Sequence, residues 1–535
     1  MFEGKPTKNT RVAIVTLSNP FSIGARHLNS LSKVRGYDTH MIFAGAFLRN
    51  DIFPPSDEDI EIVASLLTDE IKPNVVGISV SCSSFYRTAV KLTHDLREKG
   101  FNGLVAWGGI HPILCPEDCI DHADLAFTGE AEVPWIEFLD RVESGESFSD
   151  LAGAWVRDTD GTIHRNPYGD LAEDLDAVPF PDYDNDRKYL VADGKLEKIE
   201  PWRKEVFSLF VLSSRGCPFH CAFCASPLIL KEHQEGKRKG HFVRQRSVKN
   251  VIDEIKYIEE SLPNFKAVTD ATINFGDDVF VLKPSWVREF TEEYFKNFAR
   301  PYWCYFHPNT VKKEIVEILA GSGLKYVDMG VQSGSERIRT QLFDRTDTDD
   351  NIRKALRILH EAGVDIVMDV ITDNPFDTED DKRKALQFFL SLERPFTLNY
   401  LSMIMFPKVR FTERALEAGL ITNDDIEQNR MKVFEQWETK YDWPKRSKDE
   451  LFWIALFTMT GKLFIPKWYL RMLADIPYFR KHPGFVVWSA MRAGNLVWLS
   501  KRLRIFWGRL FRGQIKWSDI VYSIHRYRRI GLPQE

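Results

Sequence analysis

The sequence predicts an α/β protein made of three parts in series: a doubly wound parallel sheet, a partial (β/α)6 barrel and a helical C-terminal region. Three observations carry this reading. Strand-like and helix-like segments alternate with short connections over residues 11–145, the pattern of a parallel sheet covered on both faces. A second alternating series with six strand candidates begins at Val206, which suits a barrel with its chemistry at the carboxyl ends of the strands. From about Leu451 the pattern becomes helical, aromatic and basic.

The first series places strands at Arg11–Leu17, Tyr37–Phe43, Val75–Val80, Leu104–Trp107 and Leu125–Thr128, with a helix at Phe85–Lys99 ended by Gly100. The segments at the carboxyl ends are SNPFSIG (Ser18–Gly24), SVSCSS (Ser79–Ser84), GGIHP (Gly108–Pro112) and TGEAE (Thr128–Glu132). Small and polar residues there let a bulky ligand approach the backbone. Residues 151–205 form a connector, with a hairpin signal at Asp160-Gly161 and a Pro/Asp-rich VPFPDYDND. The second series places strands at Val206–Ser213, Phe265–Ile273, Tyr302–Phe306, Lys325–Val331, Val364–Ile371 and Thr397–Ile404. Helices are expected between them at Ser247–Ser261, Ser285–Phe298, Val311–Ala320, Thr348–Ala362 and Glu379–Leu392. The expected units are therefore 1–150, 151–205, 206–405 and 406–535.

Length agrees: 535 residues suggest about three domains at roughly 100–200 residues each. With 44 % hydrophobic and 28 % charged residues, long disorder and collagen-like structure are excluded. A net charge of −5 gives no reason to expect nucleic acid as a partner. Seven cysteines are too few for a disulfide scaffold. The N-terminus shows no secretory pattern and no window supplies a membrane span, so a cytoplasmic protein is expected.

Three of the cysteines fall in SSRGCPFHCAFC, as Cys217, Cys221 and Cys224 just after the first barrel strand. Three thiolates on one loop can hold three corners of a cubane iron–sulfur cluster and leave the fourth iron open. The alternative is zinc with His220 as fourth ligand. On these cysteines the chain resembles the radical S-adenosylmethionine (SAM) enzymes. The resemblance implies a [4Fe–4S] cluster that chelates SAM and cleaves it to a 5′-deoxyadenosyl radical. It also implies SAM contacts at Asp277 and Asp278 in NFGDDVF, and at Gln332, Ser333 and Ser335 in GVQSGSE. The bare residues also read as helix caps. The family's Gly-Pro turn near the adenine is replaced by ITDNPFDTED, with Asn374 where Gly is common.

The order of parallel-sheet domain, connector and barrel, with VVGISVSCSS, VAWGGIHP and LAFTGEAEVP, resembles the cobalamin-binding class of that family across about residues 10–405. This implies a Rossmann-like cobalamin domain with contacts at Ser79, Ser81, Ser83, Gly108, Gly109, His111, Gly129 and Glu130. The Asp-x-His-x-x-Gly loop that ligates cobalt elsewhere is not matched: Asp38-Thr39-His40 reads as a strand, with Phe at position 43. No protein histidine on cobalt is therefore expected.

The implied activity is methyl transfer from methylcobalamin to an unactivated carbon or a phosphinate phosphorus. One SAM remethylates the cofactor and a second supplies the radical. Alternatives are a cyclase or rearrangement enzyme of the same class and a methylthiotransferase. The last would use Cys82, Cys115 and Cys119 for a second cluster. Cys304 is either a buried thiol or a substrate-facing one. The implied partners are a small-molecule substrate and an electron donor such as flavodoxin or ferredoxin.

Residues 460–535 carry fifteen Lys and Arg against three Asp and Glu, a net of +12, and five tryptophans. Val486–Phe511 interleaves Val487, Met491, Trp498 and Phe506 with Arg492, Lys501, Arg502, Arg504 and Arg509. Three readings stand for this stretch: peripheral contact with an anionic membrane, a helical lid packed on the barrel with its bases solvated, or contact with RNA or DNA, for which no recognition motif accompanies the charge.

Overall fold

The computed structural model describes residues 6–17, 22–45, 47–48, 51–52, 54–204, 208–236, 238–267, 271–427 and 446–494. The first unit is a nine-stranded sheet. Its strands are β1 (Arg11–Thr16), β2 (Asp38–Ala44), β5 (Val75–Ser79), β6 (Leu104–Gly108), β7 (Leu125–Phe127), β8 (Ala154–Arg157), β9 (Ile163–Arg165), β10 (Lys188–Ala192) and β11 (Lys195–Glu197), with a separate small hairpin of β3 (Phe47–Leu48) and β4 (Asp51–Ile52). The order is β11-β10-β2-β1-β5-β6-β7-β8-β9, parallel from β10 to β7 and antiparallel at both edges. The chain leaves β1 for β2 on one side and returns to β5 on the other. This reversal opens a crevice at the carboxyl ends of the strands.

The segment expected to be a connector corrects the sequence reading: 151–205 supplies four of the nine strands, β8 to β11, which cap both sheet edges. The Asp160-Gly161 hairpin forms as expected, joining β8 to β9 with Gly161 at φ +87°.

The second unit is a six-stranded all-parallel sheet in sequential order. It consists of β12 (Ser208–Val211), β15 (Thr272–Phe275), β16 (Tyr302–Phe306), β17 (Leu324–Gln332), β18 (Asp365–Thr372) and β19 (Thr397–Ser402). A two-stranded ribbon, β13 (Ser214–Arg215) with β14 (Arg244–Gln245), lies above the first strand. The expected strand at Phe265–Ile273 is displaced: Pro263–Ala267 is a helical turn started by its proline, and the strand runs Thr272–Phe275. Burial alternates along β17 and β18. Val327, Met329, Val331, Ile366, Met368 and Val370 are packed in the core, while Tyr326, Asp328, Val367 and Asp369 are only half-buried. Period-2 alternation in strands covered by helices means that the half-exposed face lines an open lumen.

Helix Lys448–Thr460 packs across the barrel helix Glu379–Ser391, joined by Lys382 to Asp449 and Glu450 at 3.0 and 2.7 Å. No helix among the described residues is long and apolar enough to cross a membrane. The tail from Asn495, including Trp498, Trp507 and Trp517, lies outside the described residues.

Candidate active site

The cysteine loop leaves the barrel through β13. Gly216 turns it with φ +84°, and a Cβ there would lie 2.3 Å from the Phe242 carbonyl oxygen, so only glycine allows this approach. Cys217 and Cys221 are half-buried and Cys224 is exposed. Burial pushes the thiols up, Cys217 to about 12 and Cys224 to about 11, and the neighbouring cysteines and Asp278 add to it. Thiolates in such a place need a metal to hold them.

The three thiols do not converge as a ready-made single-ion site. Tetrahedral zinc with bonds of about 2.3 Å needs sulfurs within about 4 Å of one another. Among the described residues, the one group of three such side chains with ligand atoms within 4.8 Å of one another is His94, Asp95 and Glu98 on an outer helix. His220 is exposed and joins no such group.

Around the loop, Phe219 stacks on His307 at 3.7 Å between ring centroids. Burial and then Arg345 lower His307 to about 3, so the ring is neutral. Arg345, which the sequence reading passed over, donates to Cys221 Sγ at 3.7 Å, to the Gly330 carbonyl at 2.6 Å and to Asp347 at 2.8 Å. It follows in sequence the π-turn at Ile338–Leu342, a feature without a sequence signal.

Asp277 and Asp278 follow β15. Asp277 is buried and accepts from Ser213 and Ser214 at 2.9 and 2.5 Å, while its Oδ2 has no hydrogen-bond partner among the described residues. Burial raises its carboxyl to about 6. Asp278 faces Cys217 and Cys224 closely enough to raise both. Gln332 ends β17 on a register shift with φ +69°, and its Oε1 is buried without a partner among the described residues. A left-handed glutamine with a buried, unpartnered acceptor makes Gln332 a candidate ligand contact. Ser333 is spent on the backbone N–H of Ser335, which it caps at 3.1 Å. Ser335 donates to Asp381 at 2.8 Å and braces the Glu379–Ser391 helix, so its hydroxyl is committed to structure. The left-handed residue of the following turn is Asp373 (φ +58°), one position before Asn374.

A cavity of about 430 Å³ occupies the crevice of the first sheet. Ser79, Ser81, Gly108, Gly109, Gly129 and Glu130 line it, with Ser22 and Gly24 of the β1 loop. Ser18–Phe21 lie outside the described residues. Two expectations are corrected. His111 is fully buried on the far side of its short helix, with Nδ1 3.0 Å from Ser83 Oγ and its ring against Tyr86, so neither His111 nor Ser83 faces the cavity. Ile110 and Ile113 of that helix line it instead, because adjacent helical residues point to different sides. His40 lies near the start of β2, away from the carboxyl ends, and burial lowers it to about 4. His27 lines the cavity with Nδ1 2.7 Å from the Pro179 carbonyl.

The cavity is closed from the barrel side by Leu212 and Arg215. Arg215 pairs with Glu132 at 2.6 Å and Glu130 at 3.4 Å, and Arg244 with Glu130. Cys82 bonds Ser84 at 2.6 Å and packs against the same hydrophobic core as Cys119, whose Sγ lies 3.3 Å from the Cys115 carbonyl. Cys304 packs between sheet and helices, away from the lumen.

Residues 211–389 match the radical SAM superfamily model. An uncharacterized methyltransferase of Pyrococcus horikoshii is 23% identical over 465 residues, 82% of this chain and 90% of that protein. The cobalamin-dependent SAM radical enzyme OxsB, solved with aqua-cobalamin, superposes with a TM-score of 0.63 at 15% identity over 93% of this chain and 75% of its own. The methyltransferase TsrM from Kitasatospora setae, with cobalamin and a [4Fe-4S] cluster bound, gives 0.58 at 16% identity over 77% and 78%. Residues 211–389 thus carry a radical SAM domain, and the chain has the fold of these two cobalamin-dependent enzymes.

Proposed function

We propose that this protein is a cobalamin-dependent radical SAM methyltransferase acting on an unactivated carbon or a phosphinate phosphorus. One observation carries the reading. Arg215, on the rim of the crevice cavity, is two residues before Cys217, so their Cα atoms are no more than about 7 Å apart. A substrate between the two units therefore meets both at once.

Cys217, Cys221 and Cys224 would hold the cluster, Asp277 and Gln332 would bracket SAM, and the glycine-lined crevice would seat the corrinoid. Bound there, these groups supply an electron, a 5′-deoxyadenosyl radical and a transferable methyl group. The chain contributes placement and exclusion of water. Phe219 on His307 shields the loop, and Phe210, Trp303 and Tyr326 line the lumen wall with aromatic surface. The partners on this reading are a small-molecule substrate, a one-electron donor and, at the C-terminal helices, a membrane surface.

Anaerobic reconstitution with SAM and dithionite tests the activity. Release of 5′-deoxyadenosine, with S-adenosylhomocysteine and a corrinoid spectrum, is expected. Deoxyadenosine without S-adenosylhomocysteine would move the assignment to a cyclase or rearrangement enzyme. Neither deoxyadenosine nor bound corrinoid would overturn it.

A further inference from the structure

Half of the exposed large apolar side chains among the described residues fall in one stretch, 463–488. Four of them form a compact group. Leu463 and Phe464, 69% and 57% exposed, make the turn before helix Lys467–Asp475, and Trp468 and Met472, 64% and 40% exposed, follow one turn apart on that helix. The opposite side of the helix, Leu470, Leu473 and Ala474, is buried in the barrel core. The helix is thus amphipathic in an inverted sense: it is anchored by one apolar stripe and presents a second one to water.

Charge marks what the outer stripe meets. Lys467 and Arg471 are one turn apart beside Trp468 and Met472, and neither has an ion-pair partner among the described residues. By contrast, nearby Arg480 is held by Glu379 and Asp449, and Asp475 by Arg383. Burial and the like charges of Arg394 and Arg471 lower the Lys467 ammonium below its ordinary value, which shows that the cations gather without a counter-ion. A second exposed pair, Phe485 and Trp488, stacks at 6.4 Å, with Arg492 over the Trp488 ring at 5.5 Å. Beyond it residues 495–535 continue the same chemistry in sequence, with nine Lys and Arg, two Asp and Glu and three Trp. Tryptophan with lysine and arginine on one face of a helix is the composition of an interfacial anchor. The indole lies at headgroup depth and the cations meet anionic phosphates.

We infer that the outer face of helix Lys467–Asp475, with the Leu463–Phe464 turn, seats on an anionic lipid bilayer. The membrane then lies against the C-terminal flank of the barrel, and no segment of the described chain crosses it. This deepens the partner given above. Because it is read without cluster, SAM or corrinoid, its failure and that of the methyl-transfer reading are separable.

The test is flotation of the full chain with phosphatidylcholine vesicles and with vesicles containing phosphatidylglycerol. Binding is expected to the anionic vesicles alone and should fall as salt is raised. Lys467→Glu with Arg471→Glu, or Trp468→Ser, should weaken it by about tenfold or more, with the unfolding temperature unchanged because all three side chains point outward. Wild-type tryptophan emission should also be quenched by brominated anionic lipid, a readout that needs no variant. Equal flotation with neutral and anionic vesicles, or none with either, would overturn the inference. So would full binding by the variants, which would move the contact elsewhere, and so would a dimer that Trp468→Ser dissociates without any effect of lipid.

Discussion

Replacing Asp277 by Asn probes the proposed SAM contact of the barrel through a buried and only partly satisfied carboxyl group. One carboxylate oxygen is satisfied by Ser213 and Ser214, and the other is buried with no partner among the described residues. Despite the serines, burial raises the acid from 3.8 to about 6, so ionisation costs about 3 kcal/mol more than in water. Because the folded value is raised, the neutral acid stabilises the ligand-free fold below the ordinary Asp range. That contribution is lost as pH rises through about 6. Binding of an ammonium group has the opposite sign. It needs the ionised form, so SAM affinity should climb with pH up to about 6 and level off above. A hydrogen bond between charged partners is worth about 1.5–3 kcal/mol. Asp277→Asn should therefore weaken SAM binding about ten- to hundredfold and flatten the pH profile. The assay is equilibrium binding of SAM on both sides of that pH, with variant and wild type matched for iron. A variant with wild-type affinity and the same pH step would refute the assignment.

The other expectations concern the loop and the crevice. Alanine at Cys217, Cys221 or Cys224 should abolish the cluster's visible absorbance and iron while the chain stays folded, and a full [4Fe–4S] signal in any of the three would remove that residue from the ligand set. Gly109→Ala should lower both the unfolding temperature and corrinoid retention. Its φ of +111° is reserved for glycine and its Cβ would lie 2.5 Å from the Val80 carbonyl oxygen, so backbone strain alone costs about 1–3 kcal/mol. Gly108→Ala is the contrasting case: the nearest atom would be 3.8 Å away, so stability should hold while a methyl group enters the cavity and reduces corrinoid uptake. Undiminished uptake would take Gly108 out of the site.

Hydrophobic periodicity and breakers made most of the fold legible. β1, β2 and β5 to β7 fall within a residue or so of their expected bounds, and so do the barrel helices, because apolar runs and caps such as Thr348 and Thr378 are local signals. The edge strands β8 to β11 were not credited to the first sheet because pairing partners are a long-range choice. β10 joins β2 across more than a hundred residues. At the site, the cysteine loop was readable since three ligands on one loop are a local pattern. Ser335 and His111 were misplaced because type and position in a motif do not say which way a side chain turns or whether a partner such as Asp381 already holds it. Arg345 was invisible for the converse reason, since its contact with Cys221 spans 124 residues.

On the proposed methyl-transfer reading the crevice and the cysteine loop hold a fixed separation, and buried charge lies between the elements that carry them. Arg26 and Glu200 are both fully buried and paired at 2.7 Å. The guanidinium also donates to the Asp182 carbonyl at 2.7 Å and is flanked by the Phe43 and Tyr183 rings. Arg26 belongs to the helix Ile23–Val34, whose first turns wall the cavity. The same helix also holds the Pro179 and Phe180 carbonyls through His27 and Ser30. Glu200 precedes β12, whose end carries the cysteines. Such a pair adds little net stability but penalises any other docking, since an unpaired buried charge costs about 3–5 kcal/mol. Glu200→Gln should therefore destabilise the protein by about that amount. The apolar exchange Arg26→Met with Glu200→Leu should restore stability without restoring position. The readout is the spin–spin coupling between cob(II)alamin and the reduced cluster. It should report one separation in the wild type and a spread of separations in the double variant. A double variant as sharp as wild type would show that other contacts, such as Arg215 with Glu132 and Lys408 with Glu117, set the distance and that the pair serves only to bury itself.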